Sequence, residues 1–181
     1  MSAHAHKTRT PDTVRDIIVS HPFFKNLNPR YVHLLAECAS FERFGPGQDI
    51  FREGQQADRF YIIHKGRVAL ETFVPRMGPT TIQTVDAGGA VGWSWLYPPN
   101  QWQFSARAVE PVEAVAFGAG SLREKAEENH DFGYDLLMRM GGVMLDRLQG
   151  TRRKLVEFYV RDLVERQVRV LDRGTSKAAQ P

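Results

Sequence analysis

"GQDIFREGQQADRFYIIHKGRV", Gly47 to Val68, sets two short runs, "DIF" and "RFYII", among glycines and polar residues. Isoleucine, phenylalanine and tyrosine favour the pleated, half-buried surface of a strand. The texture continues outward from Ser40 to Phe117, through "RVALETFV", "TIQTV", "SARAV" and "VEAVAF", with glycine or proline at close intervals. Many short strands separated by turns predict an all-β barrel or a double-sheet roll. No tandem repeat or low-complexity segment interrupts the pattern.

Helical signals flank it on both sides. A short helix is expected near Thr13, with Val14, Ile17 and Ile18 on one side and Pro22 as its stop. "NPRYVHLLAECA" follows, with Asn28 as cap, Pro29 in the first helical position and Val32, Leu35 and Cys38 in helical phase. This places Cys38 in the core. Downstream, "GSLREKAEEN" reads as one helix capped by Ser121. From Phe132 a long helix carries Leu137, Gly141, Met144, Leu148, Thr151, Leu155 and Phe158 at alternating spacings of four and three, which is a heptad seam. Gly141-Gly142 should weaken it or admit a second backbone. A second stripe, Val160, Leu163, Val164, Val168 and Leu171, runs in another phase. Opposite lie Arg161, Arg166, Arg169 and Arg173, and the basic face from Arg147 to Arg173 reads as solvated.

The organisation expected is therefore a tail and short helix over 1–22, a helix-flanked β-roll over 23–131, a long docking or dimerisation helix over 132–173, and a tail over 174–181. The 181 residues, 42% hydrophobic and 25% charged with net charge +3, suit a globular chain without the strong basic bias of a nucleic-acid binder. The single cysteine excludes an internal disulfide framework. No apolar run has the length of a signal peptide or a membrane span, so a cytoplasmic protein with no membrane partner is expected. His4, His6, His21, His33, His64 and His130 are scattered without ligand spacing, and no Ser-His-Asp order or paired carboxylates sit in a motif. Neither a metal site nor an enzyme is expected.

The stretch from Gly47 to Val68 resembles the signature of cyclic nucleotide-binding domains. In that family one glycine precedes a strand, a second (Gly54) turns it, and an aspartate (Asp58) precedes an aromatic strand like "FYII". A third glycine (Gly66) makes the next hairpin. "VDAGGAVG" is similar to the approach to the family's phosphate-binding cassette. The resemblance implies a mainly β fold with flanking helices, a double-stranded β-helix or jelly roll followed by a long C-terminal helix. It covers about residues 23 to 160.

The cassette departs from the pattern. The family places a ribose-binding glutamate after the glycine and a phosphate-binding arginine further on, with exposed amides of a one-turn helix completing the anion site. Here Gly92 to Ala108 keeps the length. Trp93 stands at the glutamate position, Trp102 at the arginine position, Gln101 at the preceding proline, Phe104 at the small alanine and Ser105 at the threonine. Candidate ligand-binding residues are Gly92, Trp93, Ser94, Trp95, Trp102, Phe104 and Ser105. Either the rings fill a pocket that has lost its ligand, or they line one for a flatter or more apolar molecule. Cyclic nucleotide is an alternative cofactor and not the favoured one.

Two function classes remain: a dimeric regulatory or sensory module with an altered small-molecule pocket, and an interaction module with a filled pocket and a partner protein at residues 160–171. Atypical cAMP or cGMP binding is a third reading. The dimer interface expected is Met144, Leu148, Leu155 and Phe158. The winged helix-turn-helix of many family members needs more residues than follow Val160, so specific DNA binding by that route is not expected.

Overall fold

The computed structural model describes residues 13–178, with side chains throughout except at residue 166 and residues 168–178. Expectations placed on residues 1–12 and 179–181, and on the side chains of Arg166, Val168, Arg169, Leu171 and Arg173, lie outside the described residues.

Helix α1 (Val14–Ser20) opens on Thr13, whose hydroxyl accepts the Asp16 N–H at 3.2 Å, while the Asp16 carboxylate accepts the Thr13 N–H at 3.1 Å. Each cap partner satisfies a backbone donor that the first turn leaves over. A 3-10 turn at Pro22–Phe24 leads to α2 (Pro29–Glu37), which Asn28 caps as expected. Cys38 forms the C-terminal cap of α2 and is only half-buried, so it is not the core residue its helical phase suggested. The helix ends one position before it.

Eight strands follow: β1 (Ala39–Phe44), β2 (Asp49–Phe51), β3 (Arg59–Lys65), β4 (Arg67–Val74), β5 (Gly78–Asp86), β6 (Ala90–Val91), β7 (Ser105–Ala108) and β8 (Val112–Gly118). They form two four-stranded antiparallel sheets in the orders β1-β8-β3-β6 and β2-β7-β4-β5. Chain-adjacent strands mostly fall in opposite sheets, which is the wiring of a jelly roll. Between β3 and β4 the chain turns at Gly66, where φ is +87° and a Cβ would stand 2.3 Å from the Pro111 carbonyl oxygen. Glycine alone fits there.

Phe60, Ile62, Ile63, Val68, Leu70, Val115 and Phe117 are fully buried. Each contributes about 1.5–3 kcal/mol relative to exposure. One charge shares this interior: Glu71 of β4, 5% exposed, accepts from the Arg107 guanidinium on neighbouring β7 and from the Thr81 hydroxyl. A buried carboxylate is tolerable when paired and hydrogen-bonded in this way.

Helix α3 (Ala119–Glu128) starts directly from β8. Its N-cap is Gly118, not Ser121, because the Ala119 N–H already bonds the Asp58 carbonyl at 2.8 Å and fixes the start three residues early. Helix α4 (His130–Ala178) begins two residues before Phe132, since the Asn129 side chain takes the Phe132 N–H at 3.0 Å. It passes Gly141-Gly142 unbroken and continues through 174–178, which the composition suggested was tail.

Two compact units divide at Arg139 and Met140, later than the boundary at 131 drawn from the sequence. Within the first unit the opening turns of α4 are anchored by Phe132 and Leu136, both buried. In the second, Leu145, Leu148, Leu155, Phe158 and Tyr159 are all more than half exposed. Arg147 is the exception on the basic face: it is 8% exposed, and burial pushes its guanidinium down to about 10. Among the described residues no helix is long and apolar enough to cross a membrane.

Candidate functional site

The cassette connects β6 to β7. Gly92 takes φ +92° and caps a 3-10 turn, Trp93–Leu96. A Cβ at Gly92 would lie 3.0 Å from the Trp102 ring and 3.2 Å from the Arg59 carbonyl oxygen. The missing side chain is what lets the indole rest against the backbone. Sequence alone gave no sign of this Gly92–Trp102 contact, because it joins two ends of the cassette.

The returning arm is stitched to the loop after β2. The Trp102 N–H donates to the Gln55 carbonyl at 2.9 Å and the Gly54 N–H to the Trp102 carbonyl at 2.8 Å. The Ala57 N–H reaches the Asn100 carbonyl at 2.7 Å, and Gln56 bridges Gln101. Asn100, at φ +56°, closes the turn by donating its side-chain amide to the Trp95 carbonyl at 2.7 Å.

Held this way, Trp102 is 4% exposed and stacks on Phe51 with ring centroids 3.9 Å apart and planes 14° apart. Phe51 in turn stacks on Tyr61 at 6.0 Å and meets Phe104 at 6.2 Å, and Trp93 stands edge-on to Phe104 at 5.7 Å. Such offset and edge-on pairs contribute about 0.5–1.5 kcal/mol each beyond their burial. Trp93, Trp102 and Phe104 thus form one aromatic column with Phe51 and Tyr61. Burial pushes the Tyr61 phenol up to about 12, so it stays protonated at neutral pH.

Trp95 belongs elsewhere. It is 2% exposed, lies in a groove with α3 and the start of α4, and faces the Arg123 guanidinium at 6.0 Å from its ring centre. Its indole N–H and the neighbouring Ser94 hydroxyl are buried without a hydrogen-bond partner. Ser105 lies at the far end, where its oxygen accepts the Glu53 N–H at 3.0 Å.

Beside Trp102 a cavity of about 610 Å³ is bordered by Glu42, Asp58, Arg59, Gln55 and Tyr61. Arg59 there is bound to the Glu42 carboxylate. The one cation of this cavity is already paired, and Asp58 leaves its lining acidic. Among the described residues no cluster of histidine, cysteine or carboxylate could hold a metal ion.

Two antiparallel sheets with flanking helices and a glycine-led turn between β6 and β7 define a helix-flanked jelly roll. A family model for the cyclic nucleotide-binding domain matches residues 41–129. The CRP-like cAMP-activated global transcriptional regulator of Mycobacterium tuberculosis is 23% identical over 148 residues, which is 82% of this chain and 64% of that protein. The chain therefore spans under two thirds of that relative. A crystal structure assigned to a cyclic nucleotide-binding protein of Geobacter metallireducens superposes with a TM-score of 0.68 at 28% identity, over 75% of this chain and 98% of that one. The catabolite activator protein of Thermus thermophilus shares the fold, with a TM-score of 0.61 at 21% identity over 80% of this chain and 63% of that one. Residues 41–129 thus form a domain of the cyclic nucleotide-binding type.

Proposed function

We propose that the chain is a non-enzymatic regulatory module whose roll does not take cAMP or cGMP in the family's manner, and that it pairs with a second copy through α4. The observation that carries the first part is the Trp102 indole stacked at 3.9 Å on Phe51, at the position where the resemblance puts the phosphate-binding arginine. A charge-assisted contact to phosphate contributes about 1.5–3 kcal/mol, and an indole offers no charge to replace it. Trp93 likewise replaces the ribose-binding carboxylate, and Phe104 occupies interior volume. The cavity beside Trp102, whose one cation is already paired with Glu42, offers a cyclic phosphate no balancing charge.

The test is calorimetry with cAMP and cGMP. Wild-type protein is expected to bind with a dissociation constant weaker than about 100 µM, or under about 5.5 kcal/mol in magnitude. Trp93→Glu with Trp102→Arg and Phe104→Ala should regain measurable affinity. Sub-micromolar cAMP binding by the wild type would overturn the reading. Circular dichroism must accompany the triple variant, because two charges placed in an aromatic core can unfold it.

A second reading keeps a small-molecule site in the cassette at Ser94 and Trp95, apart from the column that Trp93, Trp102 and Phe104 fill. The Ser94 hydroxyl and the Trp95 indole N–H favour it, as adjacent buried donors without partners. A native mass spectrum of purified protein would show both a retained molecule and the oligomeric state. For the pairing, Leu148, Leu155 and Phe158 are 68%, 54% and 66% exposed in the single chain, while Met144 is half-buried. Val160, Leu163 and Val164 are exposed as well, which supports the partner-docking role given to 160–171.

A further inference from the structure

We propose that the groove between the Trp93–Leu96 turn, α3 and the first turns of α4 binds an organic anion with an apolar body, of the medium-chain carboxylate kind. The groove lies wholly in the first compact unit and holds about 520 Å³, within the range of small-molecule sites. Its walls are Trp95 and Leu96 from the cassette, Ala126 from α3, and Leu136 and Tyr134 from α4. These are apolar or amphipathic surfaces suited to an alkyl or aryl body.

The polar groups converge at one end. Arg123 of α3 lies over the Trp95 ring and donates one N–H to the Trp95 carbonyl at 3.3 Å. A guanidinium has five N–H donors, and the hydrogen bond this one makes goes to a carbonyl rather than to a carboxylate. The Trp95 indole N–H, in the same wall, is buried without an acceptor. The Arg123 guanidinium thus has spare donors beside an apolar trough, and a carboxylate head satisfies them. His130 adds a further donor at the rim, while Glu127 opposes an anion from the α3 side. The head group is therefore placed at Arg123 and the body along Leu136 and Leu96. Occupancy would bear on the roll, because Trp93 of the same short turn sits in the aromatic column.

The experiment titrates the full chain with dodecanoate by calorimetry. Saturable one-to-one binding is expected at micromolar concentration. Arg123→Gln should weaken it by about tenfold or more, Arg123→Lys should retain most of it, and Glu127→Gln should tighten it about threefold. Dodecyltrimethylammonium, of like length and opposite charge, should not bind. The site is located with 2-bromododecanoate, which carries its bromine beside the carboxylate and whose quenching of tryptophan fluorescence should largely vanish in Trp95→Phe.

Absence of saturable dodecanoate binding below about 1 mM would overturn the proposal. So would equal binding of the cationic amphiphile, or Arg123→Gln without effect. Binding that arises only in Leu148→Glu with Leu155→Glu would assign the groove to a second copy of the chain instead. None of these outcomes depends on whether the roll binds a cyclic nucleotide.

Discussion

His21 shows how one residue holds two parts of the fold together. It is 4% exposed, its Nε2 lies 3.1 Å from the Ile63 carbonyl oxygen, and its Nδ1 accepts the Phe23 N–H at 3.2 Å. That pair of contacts requires the neutral ring, with its proton on Nε2 donating to β3. Burial holds its pKa below the usual histidine value, and the contact with the Ile63 carbonyl only partly offsets this. The unfolded chain therefore binds the proton more readily than the folded one. Stability should be full above about pH 6.5 and fall as pH drops below it. Melting curves between about pH 7.5 and pH 5.5 should show a steady loss in wild type and a shallower slope in His21→Gln. An equal slope in both proteins would show that His21 does not titrate in this window.

At the scale of elements, the roll was legible and its junctions were not. Strands announced themselves because β-branched and aromatic runs alternate with glycines whose conformations demand glycine. Gly47, Gly54 and Gly66 all adopt φ near +80° to +87°. Helix α2 was legible from Asn28, since a cap side chain and the residues it serves are close in sequence, and α1 from the spacing of Val14, Ile17 and Ile18 before Pro22. The start of α3 was not, because the Asp58 carbonyl that fixes it comes from the other side of β3. The aromatic cassette was recognised, but its division into two neighbourhoods was hidden. Nothing in "GWSWL" shows that Trp93 turns to Phe104 while Trp95 turns to α3. The burial of Arg147 was equally illegible beside the exposed arginines that follow it. A test at this scale concerns the end of α4, whose described side chains from Leu163 to Glu165 are exposed. Deleting residues 162–181 should leave the melting temperature within about 2–4 °C, the shift expected for a change of 1 kcal/mol in a chain of this size. A larger drop would show that this stretch packs on its own domain.

For the whole molecule the governing quantity is the apolar surface on α4. In the second unit the seam residues Leu148, Leu155 and Phe158 lie on one helix at heptad spacing and are each more than half exposed. Covering such side chains contributes about 1.5–3 kcal/mol apiece, and a pair of helices brings two of each. That gain is of the same order as the roughly 4–15 kcal/mol of freedom lost on association, so a reversible dimer is expected rather than an obligate one. Gly141 and Thr151 occupy seam positions and add little to the contact. Charge works against the pairing: Arg152, Arg153, Lys154 and Arg161 outnumber Asp146 and Glu157 along the same stretch. Two copies brought together in parallel therefore repel, and salt screens exposed charges beyond about 8 Å at physiological ionic strength. Light scattering should show a dimer that tightens as salt is raised, the reverse of an interface held by ion pairs. Leu148→Glu with Leu155→Glu should give a folded monomer at every salt concentration. Wild-type protein that stays monomeric at high micromolar concentration and high salt would remove the dimer from the picture and leave α4 for another partner.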